Sequence, residues 1–98
     1  MVAPIHSSRP KFSLGHVVLT PGALAAFEKT GQRPASFLLR HVGGDWGEVC
    51  EGDKKLNDAA VAGGERLMSA YRLTSGERIW IITEADRSVT TLLLPEEY

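Results

Sequence analysis

Residues 65–95, ERLMSAYRLTSGERIWIITEADRSVTTLLLP, decide the fold class. Three runs in this stretch, ERLMSAYRL, ERIWIIT and SVTTLLL, are rich in β-branched and aromatic residues and read as strands. TSGE and EADRS separate them and are short enough to be hairpin loops. Three consecutive strands joined this way form an antiparallel meander. Side chains alternate between the two faces of such a sheet. Leu67, Ser69, Tyr71 and Leu73 share a face; in the next run Ile79, Ile81 and Thr83 alternate with Trp80 and Ile82. In the last run Thr90, Leu92 and Leu94 alternate with Val89, Thr91 and Leu93. Neither face is cleanly polar. One needs a cover of helices, and the other still carries large apolar groups suited to a ligand or partner.

Upstream, the pattern changes to helical grammar. TPGALAAFEKTG predicts a helix capped by Thr20, opened by Pro21 and closed by Gly31, with Leu24, Phe27 and Ala25 as its buried stripe. RPASFLLRHVGG repeats the design from Pro34, with Phe37, Leu38 and Val42 apolar and Gly43 or Gly44 at the end. A third helix is expected over 53–62, with Asp53 as its cap, closed by glycines 63 and 64. Its apolar face, Leu56, Ala60 and Val61, is thin. FSLGHVVL, at 12–19, reads as a short strand in which Gly15 marks an edge or a bulge. The expected architecture is therefore α+β: an N-terminal strand and three short helices, then a three-stranded antiparallel meander. Residues 1–11, polar and twice punctuated by proline, read as a flexible tail, and 12–98 as one domain.

Composition narrows the function classes. At 98 residues there is room for one domain, and a formal net charge of −1 gives no overall attraction to nucleic acid or anionic membrane. One cysteine, Cys50, allows no internal disulfide. No apolar run approaches a membrane span, and the N-terminus lacks the apolar core of a signal peptide, so a cytoplasmic location is expected. Neither GxxxxGK[ST] nor GxGxxG is present, and His41, Asp45 and Cys50 have no recognised metal-ligand spacing; no cofactor is expected.

The candidate chemistry centres on His41, at a helix end beside a glycine-flanked loop, where an imidazole can face a cleft and transfer protons near neutral pH. GGDWG, at 43–47, holds Asp45 and Trp46 in a turn; Trp46 could stack on a base or plug the helix–sheet junction. TEADRSVTT, at 83–91, gathers Thr83, Arg87, Ser88, Thr90 and Thr91, groups able to surround an anion. Asp45, Trp46, Tyr71 and Trp80 are the candidate binding residues.

RHVGGDWGE, SAYRL and IWIITEADRSVTTLLLPEEY, with the spacing among them, resemble small proteins of bacterial plasmids and other mobile elements, over roughly 12–98. Some relatives in that family carry a restriction–modification subunit label, but this chain has no methyl-donor glycine loop. That family brings no function with it; the mixed apolar and polar sheet faces, with no catalytic constellation in the sequence, point to a small binding or regulatory module of such an element that engages a protein or nucleic-acid partner through the sheet face, with a homodimer among the expected assemblies. More distantly, the helical half followed by a meander looks like the small ribonuclease fold of barnase and RelE-type toxins. That likeness implies a metal-independent ribonuclease: His41 as general acid or base, Arg72 or Arg87 as phosphate clamp, and Ser69, Tyr71, Thr83 and Thr90 at the scissile group.

Overall fold

A computed structural model describes residues 10–98. Its elements run β1 (His16–Leu19), α1 (Pro21–Thr30), α2 (Pro34–Val42), α3 (Glu51–Gly63), β2 (Leu67–Arg72), β3 (Arg78–Thr83), β4 (Val89–Leu93) and a closing 3₁₀ turn (Pro95–Glu97). The expected tail lies outside the described residues except for Pro10 and Lys11, and the Lys11 amide donates to the Val42 carbonyl.

The meander β2–β3–β4 forms as the sequence pattern predicts, with antiparallel register Leu67↔Thr83 and Thr83↔Thr90. It is not the whole sheet. β1 joins the free edge of β4 in parallel, giving a four-stranded mixed sheet in the order β1-β4-β3-β2. The Val17–Val18 pair supplies the β-propensity for this, and the three helices, together with β2 and β3, form the long connection that a parallel neighbour requires. Gly15, at φ +64°, lets the chain enter alongside β4: a Cβ there would collide with the backbone of Arg87 and Ser88.

Thr20 caps α1 by accepting from the Ala23 amide at 3.1 Å, and Gly31 ends the helix in the left-handed region. The buried stripe differs from expectation. Ala23, Ala26 and Phe27 face the sheet, while Leu24 is 50% exposed. Small residues at 23 and 26 bring the helix close to β1 and β4, so the packing selects them over the larger Leu24. In α2, Phe37, His41 and Val42 are buried and Leu38 is half-buried. α3 begins at Glu51, before the expected start, with Cys50 at the N-cap position, so Asp53 lies in its first turn and is not the cap. Leu56, expected in the buried face of α3, is 68% exposed; Asn57 and Ala60 are buried instead.

Two apolar clusters fill the space between helices and sheet. One joins Phe27 and Phe37 to Tyr71, Ile79, Ile81 and Leu92; the other joins Trp46, Ala60 and Leu67. The opposite sheet face is partly covered by the C-terminal turn. Tyr98 meets Trp80 edge-on at 5.6 Å, and the Arg66 guanidinium donates to the Tyr98 hydroxyl at 2.9 Å. The Glu97 carboxylate accepts from the Thr20 hydroxyl at 2.5 Å and the Gly22 amide at 3.0 Å, tying the turn to the start of α1.

Candidate functional site

His41 lies four residues after Phe37, on the stripe of α2 that faces the sheet, so the helix carries its ring inward. The ring is fully buried, with Phe12 and Trp46 packed edge-on against it at 5.2 and 5.7 Å. Three hydroxyls from three strands reach it or each other. Ser69 Oγ is 2.5 Å from Nδ1, Thr83 Oγ1 is 2.9 Å from Nε2, and Thr83 and Thr90 lie 2.8 Å apart across the β3–β4 ladder. Thr90 in turn donates to the Leu14 carbonyl at 2.7 Å.

That last bond fixes the direction of every other. A carbonyl can only accept, so the Thr90 hydrogen is committed to Leu14 and Thr90 must accept from Thr83. Thr83, having given its hydrogen away, must accept from His41, so Nε2 carries the proton. Nδ1 is then an acceptor, and Ser69 donates to it. The result is a one-way chain from Ser69 through the neutral imidazole to Leu14, with no buried polar side-chain atom left unpartnered among the described residues. Burial pushes the imidazole pKa down to about 4, and the nearby Arg87 charge pushes the same way.

His41, Ser69, Thr83 and Thr90 thus do converge, but inside the core: the imidazole expected to face a cleft faces none. Arg87 stands beside this group without touching it. It adopts φ +62°, unusual for a side chain other than glycine, and its guanidinium donates to the carbonyls of Ala60, Glu65 and Glu84 while lying over Phe12. It works as a bracket between α3 and the β3–β4 turn, with three of its five N–H donors occupied by backbone carbonyls. Arg72 is elsewhere, exposed on the opposite face and paired with Glu48 at 3.4 Å. Ser88 and Thr91 do not join the group: Ser88 donates to Asp86 at 2.6 Å, and Thr91 lies on the outer face.

The binding candidates separate as well. Trp46 is buried, stacked on Phe12, and donates from Nε1 to Asp58 at 2.9 Å, so it plugs the junction. Tyr71 is buried, its hydroxyl donating to the Asp45 carbonyl and its ring lying under Arg40. Burial raises the Tyr71 pKa well above its ordinary value. Asp45 is paired with Arg40 at 2.7 Å, and the hydrogen bond from Arg40 holds its carboxyl below the usual range. Of the four, only Trp80 reaches the outer face, half-buried beneath Tyr98.

That outer region holds a groove of about 250 Å³ between α3 and the sheet, lined by Val49, Asp53, Leu56, Asn57, Arg66, Met68 and Tyr98. Two of its large side chains, Leu56 and Tyr98, are about two-thirds exposed. Asn57 forms the floor: its side-chain amide donates to the Met68 carbonyl and accepts from the Met68 amide, as a neighbouring strand would. Sequence reading missed this groove. Its one local signal was Asn57, an amide buried in the middle of a helix. A larger hollow, about 500 Å³, lies along α2 between Pro10, Leu39, Arg40 and Asp45, but its two charged groups are paired with each other.

No protein-family model, curated protein or solved structure matches this chain. The groove and the sealed histidine chain are therefore read from their own chemistry. Among the described residues, no three His, Cys, Asp or Glu side chains are grouped to hold a metal ion, and no helix is long and apolar enough to cross a membrane.

Proposed function

We propose that this domain is a protein-binding module that engages its partner at the outer sheet face, in the groove between α3 and Tyr98. The observation that carries the reading is the pairing of Leu56 and Tyr98, two large apolar side chains left about two-thirds exposed on either side of one cleft. Met68 and Val49 add apolar surface to the lining, and Asp53 and Arg66 place charges of both signs on it. This suits a short peptide segment that inserts one apolar side chain and offers charged neighbours. Mixed rim charges and a net charge of −1 favour protein over a nucleic-acid backbone. A place for this module in a plasmid or other mobile element rests on the sequence resemblance alone.

The alternative, a metal-independent ribonuclease, needs His41 to exchange a proton with substrate. A ring with no exposed surface and both nitrogens engaged offers no route for that while the domain stays closed. A photo-crosslinking residue at Leu56 in expressing cells is expected to give protein adducts, and one at Leu39, equally exposed on α2, is not. Tyr98→Ala should reduce the Leu56 adduct. Equal labelling from both positions, or RNA cleavage by the purified folded protein, would overturn the reading.

A further inference from the structure

The two edges of the sheet are treated differently. At the β2 edge, Met68 is paired by the Asn57 amide, and Ala70 by the backbone of the loop before α3: its amide donates to the Trp46 carbonyl, and its carbonyl accepts from the Glu48 amide. At the β1 edge nothing comparable is found among the described residues. His16 and Thr20 direct their amides to Ser88 and Leu92 of the neighbouring chain segment, so the alternate residues, Val17 and Leu19, point their N–H and C=O groups away from the sheet. The strand sequence, HVVL, has no lysine, glutamate, proline or bulge of the kind that usually protects an edge, and Val17 and Val18 are 39% and 45% exposed.

We propose that the β1 edge pairs with β1 of a second copy of this chain, in antiparallel register about a two-fold axis at Val18. The register follows from the outward groups. Val17 of one copy lies opposite Leu19 of the other and exchanges two hydrogen bonds with it, and the symmetry repeats the pair on the other side of the axis. Val18 faces Val18 across the axis as the close, non-hydrogen-bonded pair, apolar against apolar, with no like charges opposed. The strand is thus self-complementary, which selects a second copy over an unrelated segment. A contact of this size belongs with the small, transient interfaces, so a dissociation constant on the order of 100 μM is expected.

This site is separate from the groove, which lies at the opposite edge of the sheet, and the two can fail independently. Sedimentation velocity of the full chain from about 10 μM to ~1 mM is expected to show a shift from 10.7 kDa toward twice that mass. Over the same range the Val17 and Leu19 amides should gain protection from hydrogen exchange, whereas Val18, already bonded to β4, should not. Val18→Lys and Val18→Glu, at an exposed site, should each leave a folded monomer at every concentration, and an equimolar mixture of the two should restore the dimer. A wild-type monomer at ~1 mM overturns the proposal. So does a dimer that survives both substitutions, or a mixture that stays monomeric.

Discussion

Acidification offers a direct test of the buried histidine chain. In the unfolded protein an imidazole titrates near 6.5; in the fold, burial of His41 and the Arg87 charge move it to about 4. The sign follows from linkage. Between those two values the unfolded chain binds more protons than the native one, so stability is complete above about pH 6.5 and falls as the pH drops toward 4. At about 1.36 kcal/mol per pH unit, the loss is about 3 kcal/mol in full and roughly 2.5 kcal/mol by pH 4.5. For a domain whose total stability is on the order of 5–15 kcal/mol, this is a large fraction. The assay is urea denaturation at pH 7.5, 6.5, 5.5 and 4.5 on a His6→Asn, His16→Asn double variant, which leaves His41 as the sole imidazole among the three histidines. The lowered carboxyls, Asp45 beside Arg40, Asp86 beside Ser88 and Glu97 beside Thr20, begin to lose their contributions only as the pH falls toward 4.5 and below, so the fall between pH 6.5 and 5.5 reports His41. The same sample read by NMR should show a neutral ring protonated at Nε2 down to about pH 5. A flat stability profile, or a His41 ring that titrates near 6.5, would refute the reasoning.

Three substitutions probe the same framework. Thr83→Val keeps shape but removes the acceptor for the His41 Nε2 proton, and should cost about 1–3 kcal/mol in urea denaturation for one orphaned buried donor. Asn57→Ala removes both bonds to Met68 and should cost a similar ~1–3 kcal/mol, with faster hydrogen exchange at the Met68 amide and not at Ser69. Gly47→Ala should be the most damaging: φ is +73°, and the added Cβ would be driven into the Ala70 carbonyl and the Tyr71 ring, for a loss of more than about 2 kcal/mol measured as a lowered Tm.

The meander was legible because strand period and turn chemistry are local properties, and 65–94 carries both. Caps such as Thr20 and Gly31 were legible for the same reason. Two features depend on partners far away in sequence and left no local trace. The parallel seat of β1 on β4 is one: HVVL reads as a strand but not as anyone's neighbour. The sidedness of α1 and α3 is the other, since Leu24 and Leu56 lost their buried places to Ala23 and Asn57 once the sheet set how closely each helix could approach. His41 shows a partial reading. Its place at a helix end beside a glycine-flanked loop suggests a cleft, whereas its four-residue spacing from Phe37, left out of the expected apolar face, carries the burial. What reverses that inference is the trio of Ser69, Thr83 and Thr90, whose meeting depends on strand register and helix docking together.

The protected β2 edge and the bare β1 edge have a joint consequence for binding. Pairing β1 with its counterpart would make a continuous eight-stranded sheet, with the two grooves beside its outermost strands. Seven interstrand spacings of about 4.8 Å put those strands roughly 34 Å apart, a span that two linked segments of one partner, or two copies on a repeating surface, could bridge. A groove of about 250 Å³ lined by a few apolar side chains gives modest affinity for a single segment, and doubling the sites raises the effective affinity without any new contact. Val18→Lys therefore separates the two effects. It should leave binding of a single groove peptide unchanged and weaken binding to a surface that presents that peptide at high density. Equal loss on both would mean that the edge and the groove are one site, and equal retention would mean that the partner is held by single copies.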